Sequence, residues 1–440
     1  MVSLIAAVLF CLTSVLPAFA ADVEYGGMWR TRAFTIDGFS GDSENDSRDY
    51  SAVDSRARIW FNFEINKETN WFNQVEINYI WGDEDNGGGI GTDGTDYLRW
   101  KHSYLNLNHE IVDGVDTSFR VGLQPYALAR GFLFDDDFAG LVATYTSPDG
   151  SMKFPLVWMK VFEGGTLSGS EENEEAQNIL EEYDVDFVGL APELKFMDDA
   201  LTVKPFGFYL TSAQAEGAEA LTGNADVDVW FAGLEVAYKT DETNLWALGV
   251  YEFGEAEIVL SNEELDVAAY LVAVGAEQRF GDLGIHGTAF YATGDDDSLD
   301  EDETTFFVPY GQSYAWSEIM GEGIFDAYGA SNGACGTAIS NIAAVGGGLS
   351  YQLNDKWKVR GDVWYAQLAE APEDLDDDYL GTEVDLRVDY QVNDDVTLTA
   401  IGAYLFAGDA TTWNYADGMD AEDATDPWEV GLQLTFRFSS

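Results

Sequence analysis

The chain has 440 residues, of which 80 are Asp or Glu and 21 are Lys or Arg, giving a formal net charge of −59. That balance excludes a nucleic-acid binder, which needs a basic face to meet phosphate. Hydrophobic residues at 46% and aromatics at 14% exclude a disordered acidic chain, and 45 glycines against 9 prolines suit strands joined by polar turns.

Residues 1–20 read as an export signal, with an apolar stretch from Leu4 to Leu16 and the small-x-small site Ala18-Phe19-Ala20. Cleavage there leaves Cys335 as the one thiol of the mature chain, so no intrachain disulfide is available. No later stretch reaches the run of apolar residues that a transmembrane helix needs. Residues 21–440 are therefore expected to form a single β domain, either a soluble secreted protein or a membrane barrel.

Period-two alternation predicts strands near 23–36, 52–66, 70–82, 97–108, 116–124 and 137–147. It predicts six more near 151–162, 181–192, 200–212, 225–240, 243–256 and 264–281, and a last six near 283–295, 338–354, 356–369, 378–393, 395–408 and 426–438. The final segment is the clearest: Trp428, Val430, Leu432, Leu434, Phe436 and Phe438 alternate with Glu429, Gly431, Gln433, Thr435 and Arg437. Segments of roughly 9–17 residues are long enough to cross a bilayer at a tilt.

Connections sort by parity. Those after odd-numbered strands are mostly long (37–51, 82–96, 163–180, 294–337), while those after even-numbered strands are tight, as in Asn66-Lys67-Glu68-Thr69, Asn354-Asp355-Lys356 and Asn393-Asp394-Asp395. Outer-membrane barrels alternate long extracellular loops with short periplasmic turns in this way. The fold class expected is thus an all-β transmembrane antiparallel up-and-down barrel of about eighteen strands. Sixteen remain if 116–124 and 181–192 are loop. Trp71, Trp81, Trp246, Tyr351, Trp357, Tyr390, Tyr404 and Trp428 fall near strand ends, as headgroup girdles require.

A resemblance rests on Val121-Gly122-Leu123-Gln124-Pro125, Arg130-Gly131-Phe132, Gly381-Thr382-Glu383-Val384-Asp385-Leu386, Gly402-Ala403-Tyr404-Leu405-Phe406 and the terminal Leu434-Thr435-Phe436-Arg437-Phe438. In these the chain resembles the outer-membrane porins of the alginate-export-like kind, which form eighteen-stranded channels. The resemblance implies passive diffusion of small hydrophilic solutes or ions through the bacterial outer membrane, or export of an anionic polysaccharide. The partners implied are outer-membrane lipid and lipopolysaccharide together with those solutes, with homotrimer and monomer both open.

Charge is divided between loops and strands. More than half of the acids fall in the long loops, in runs such as Asp135-Asp136-Asp137, Glu171-Glu172 and Asp376-Asp377-Asp378. No cofactor is expected, although Asp295, Asp296 and Asp297 offer clustered carboxylate oxygens of the kind calcium takes. On the strands, Arg30, Arg32, Arg56, Arg58, Arg120, Arg360, Arg387 and Arg437 alternate with apolar residues. They are expected to face the lumen, because a lipid-facing Arg costs roughly 2–4 kcal/mol at the midplane. Rings of Arg select anions. Glu24, Asp54, Glu64, Glu76, Glu235, Asp362, Asp385 and Asp389 share those faces, so cross-strand neutralisation is the competing reading.

The 294–337 connection is too long for a bare connector, and Phe306, Phe307, Tyr310, Tyr314 and Trp316 are odd choices for water. Either it narrows the mouth or it packs on itself as a lid. An enzyme is not expected. Gly89-Ile90-Gly91-Thr92-Asp93-Gly94 lacks a following helix, and His102, His109 and His286 have neither metal-ligand spacing nor an identifiable serine partner.

Overall fold

The computed structural model describes residues 22–39, 49–83, 88–90, 98–112, 115–163, 184–213, 225–258, 263–295, 302–309, 314–321, 323–325, 339–371, 377–411 and 425–440. The signal segment, Tyr310, Asp296 and Asp297 lie outside these residues, as do parts of the acidic runs.

The first strands are β1 (Asp22–Asp37), β2 (Tyr50–Asn66), β3 (Thr69–Ile80), β4 (Leu98–Val112), β5 (Val115–Leu128), β6 (Phe134–Thr146) and β7 (Met152–Glu163). Next come β8 (Asp184–Leu190), β9 (Glu193–Phe196), β10 (Leu201–Ala213), β11 (Ala225–Lys239), β12 (Thr243–Ile258), β13 (Glu263–Phe280) and β14 (Leu283–Ala292). The two-residue β15 (Asp302–Glu303) precedes β16 (Ile342–Asn354), β17 (Trp357–Leu368), β18 (Tyr379–Asn393), β19 (Val396–Ala407) and β20 (Trp428–Ser439). β8 and β9 are halves of one wall strand, since both pair with β7 and β10; Pro192, which has no N–H to donate, sits at the break. β15 lies in a loop, so the wall has eighteen strands.

Each wall strand pairs antiparallel with its chain neighbours, and β1 closes on β20 from Gly26↔Ser439 to Asp37↔Trp428. Closure leaves no open edge, the condition for backbone in lipid. The segment 116–124 lies within β5, and Asp184–Leu190 of the predicted 181–192 is wall strand, so the sixteen-strand alternative does not hold.

Three of the tight turns share one chemical device. Asn66, Asn354 and Asn393 each end a strand, and their Oδ1 atoms accept from the backbone N–H two residues on, at 2.8, 2.9 and 3.0 Å. A side chain thus satisfies a backbone donor that the reversing ladder leaves unpaired.

The outer surface is apolar. Val272, Val274, Leu349, Val363, Leu386 and Leu432 are each about half exposed, whereas alternate residues of the same strands face inward. Inside, the two halves differ. Along β7 to β14 the inward residues include Met159, Phe187, Phe208, Phe231, Leu271 and Phe290, all nearly or wholly buried. Along β1 to β4 and β17 to β20 they are largely polar. A barrel lumen with an apolar half needs something to cover it, and two inserted segments do so.

Candidate functional site: an internal passage bounded by two inserted loops

The first insert is the tip of the β5–β6 hairpin. β4 and β5 pair up to Ser103↔Leu123; beyond that β5 pairs with β6 alone, as far as Leu128↔Phe134. The bend falls at Gly122, whose φ of +127° suits glycine and where a Cβ would stand 2.3 Å from the Ser103 carbonyl oxygen. The fully buried Gln124 side chain then donates to the carbonyls of Arg120, Gly122 and Gly140 at 3.1–3.3 Å, satisfying acceptors around the bend.

The tip is held from both sides. A β-bulge between Gln74 and Val75 leaves Lys101 as the extra residue of β4. Two consecutive side chains, Lys101 Nζ and His102 Nε2, therefore reach Asp137, at 2.5 and 2.7 Å. At the far side Ala129, Arg130 and Gly131 make a left-handed turn. Arg130 there meets Glu235 of β11 at 2.9 Å and lies 4.5 Å over the Trp246 ring. Trp246 thus belongs to the interior, not to the outer aromatic girdle that its position near a strand end suggested. Trp71, Trp81, Tyr351 and Trp357 do stand exposed on the surface.

The second insert is the long β14–β16 connection, which follows the wall from β12 round to β1. Phe306 and Trp316 are buried. Phe307 packs edge-on to Phe231, and its N–H donates to Glu252 at 3.3 Å. Tyr314 stacks on Phe132 of the first insert, and Trp316 contacts Phe290 and Trp364. Glu383 of β18 accepts from the Ser317 hydroxyl at 3.0 Å, the Ile319 N–H at 2.7 Å and the Met320 N–H at 2.8 Å. Arg32 of β1 donates to the carbonyls of Ile324 and Phe325 at 2.7 and 2.8 Å. The aromatics of this connection left open whether it narrows the mouth or packs on itself; of the five singled out, Phe306, Phe307, Tyr314 and Trp316 sit in the core or against it. Asp295 accepts from the Thr304 N–H at 3.2 Å.

The candidate arginines divide by partner. Arg32, 5% exposed, is committed to Asp54 and to the inserted loop. Arg30 stands directly opposite Arg56. Arg56 bonds Asn78, and Arg58 bonds Glu76 at 2.5 Å. With Arg99, these strands bound a cavity of about 400 Å³ lined by Arg30, Arg32, Asp54, Arg56, Asn78 and Arg99. Sequence reading passed over Arg99, although Leu98 and Trp100, both more than half exposed, flank it in plain alternation.

Arg120 bonds Asn106 and lies over Tyr104. It lines a second cavity of about 670 Å³ toward the turn end, with Lys153, Lys204, Glu193, Glu235 and Trp246. Arg360 bonds Asp362 at 2.7 Å and Arg387 bonds Asp389 at 3.1 Å; with Asp385 they border a third cavity of about 260 Å³ beneath Trp316. Arg437, exposed, and Glu64 sit near the turn end and join none of these groups. Cross-strand pairing, the competing reading, describes Arg32 with Asp54 and Arg58 with Glu76, whereas Arg360 and Arg387 are paired with carboxylates two residues on along their own strands. Among the described residues no group of three or more His, Cys, Asp or Glu is arranged to hold a metal ion.

The architecture is that of the eighteen-stranded outer-membrane porins. Solved structures of the same fold include outer membrane protein opdK from Pseudomonas aeruginosa (10% identity, TM-score 0.56), a BenF-like porin from Pseudomonas fluorescens Pf-5 (11%, 0.55) and OccK9 from Pseudomonas aeruginosa (12%, 0.57). In each, 95% of this chain aligns with 99% of the other. No family model and no curated protein sequence matches the chain. The alginate-export-like resemblance gains no support from these structures.

Proposed function

We propose that the protein is an outer-membrane porin through which small hydrophilic solutes diffuse passively. One observation carries the reading: inside a closed barrel with an apolar exterior, both inserts leave cavities bounded by charged side chains instead of filling the lumen with apolar packing. The inserts cover the apolar half of the wall, so solute is left the polar side formed by β1 to β5. Arg30, Arg56 and Arg99 there give the passage a cationic flank, while the acidic loops outside set the opposite field.

Two other readings fare worse. A soluble carbohydrate-binding protein has no use for a belt of half-exposed Val and Leu around its whole girth. Export of a polysaccharide would require the polymer to pass two inserts that touch one another across the lumen. The test is current across a planar bilayer carrying the purified, detergent-folded protein. Stepwise conductance is expected; insertion without current would overturn the reading.

A further inference from the structure

A row of titratable side chains crosses the inner wall behind the second insert. Cross-strand register places His286 of β14 opposite Gly348 of β16, Gly348 opposite Asp362 of β17, and Asp362 opposite Asp385 of β18. It continues from Asp385 to Ala403 of β19 and from Ala403 to Glu429 of β20. The two uncharged members are small, which lets the others approach. At Gly348 a Cβ would stand 2.5 Å from Asp362 Oδ1 and 2.8 Å from His286 Nε2, and those two atoms are themselves 2.5 Å apart.

Glu383, two residues before Asp385 and on the same face, joins the row from β18, and Glu318 joins it from the insert. The bases near it are occupied: Arg360 by Asp362, Arg387 by Asp389, Arg32 by Asp54 and the insert's carbonyls. Asp385 and Glu429 are 7% and 3% exposed, and Asp385 Oδ1 and Glu429 Oε1 are buried without a hydrogen-bond partner.

Several carboxyls in one enclosed space cannot all ionise, because each charge raises the cost of the next. Three donors of the insert converge on Glu383, whereas Asp385 Oδ1 and Glu429 Oε1 receive none. Asp385 and Glu429 are left to hold protons. Trp316, Ser317 and Glu318 of the insert border the same cavity as Asp385, and the Glu318 carboxyl is pushed up by burial.

We propose that the stretch from Trp316 to Gly321 is a proton-controlled latch on this row: it stays docked while Asp385 and Glu429 are protonated, and lifts to widen the passage when they ionise. The sign follows from linkage. A carboxyl protonated in the docked state and ionised in the lifted one favours docking at low pH, and that preference is lost as pH rises through its docked-state pKa.

The proposal rests on the channel reading, and single-channel conductance from about pH 5 to about pH 9 tests both. Wild type is expected to rise severalfold with pH. Asp385→Asn with Glu429→Gln, which keeps shape and removes the titrating groups, is expected to hold the low value throughout. Glu383→Gln, which weakens the grip on the insert, is expected to give the high value already at low pH. A flat wild-type profile, an unchanged pH response in the double variant, or low conductance of Glu383→Gln at low pH would each overturn the latch alone. Inserted protein that passes no current at any pH would overturn the channel reading and the latch with it.

Discussion

Phe132 and Tyr314 stack face to face, with ring centroids 4.1 Å apart and planes inclined by 15°. One belongs to the β5–β6 hairpin and the other to the β14–β16 connection, so an aromatic contact joins the two inserts. Such a pair is worth about 0.5–1.5 kcal/mol beyond its area burial. Tyr314→Ala is therefore expected to uncouple the inserts without unfolding the barrel. Single-channel records should show a higher mean conductance and added flicker, with the folded band on unheated gels unchanged.

Asp137 is the anchor of the first insert on its β4 side. Asp137→Asn keeps the volume but removes the charge that Lys101 and His102 share. Losing a charge-assisted bond of this kind costs about 1.5–3 kcal/mol. Protease cleavage at the hairpin tip should become faster in Asp137→Asn than in wild type, and equal rates would refute the anchoring role.

The cationic flank makes a prediction about selectivity. Arg56→Gln with Arg99→Gln removes two charges from the lining of the cavity of about 400 Å³. Under a tenfold KCl gradient the reversal potential of this variant should shift toward cation preference relative to wild type. An unshifted potential would mean that ions take another route.

Gly122 makes a prediction about folding. Gly122→Val forces a branched residue into φ +127° and drives its Cβ against the Ser103 carbonyl. Strain of about 1–3 kcal/mol from the backbone alone should lower the thermal midpoint of the detergent-folded barrel, read as the temperature at which the compact gel band is lost.

The eighteen wall strands were legible from local signals: alternation in most of them, and tight turns alternating with connections that are mostly long. Their limits agree with the structure to within a few residues, even for Val115–Leu128 and the broken pair Asp184–Leu190 and Glu193–Phe196. The second insert was legible from its aromatics.

The first insert was not, because its causes are long-range: a bulge on β4, a left-handed turn and a partner on β11. One local signal did exist. In Ala268-Ala269-Tyr270-Leu271-Val272-Ala273-Val274 both faces are apolar, which a strand between lipid and water never needs, and which marks wall covered from inside. The fate of Arg32 was hidden for another reason: its partners, the Ile324 and Phe325 carbonyls, are backbone atoms and leave no trace in side-chain patterning.

The seam between the first and last strands bears on how the molecule comes into being. Twelve residues of β20 close the ring on β1, and the Tyr25 N–H meets the Ser440 side chain across 415 positions of sequence. A growing chain has no means of completing this circle until β20 has been made. Until then the outward-facing Val, Leu and Trp have no closed barrel to sit on. β20 is the clasp, and a chain cut short of it is an aggregate in waiting, not a smaller pore.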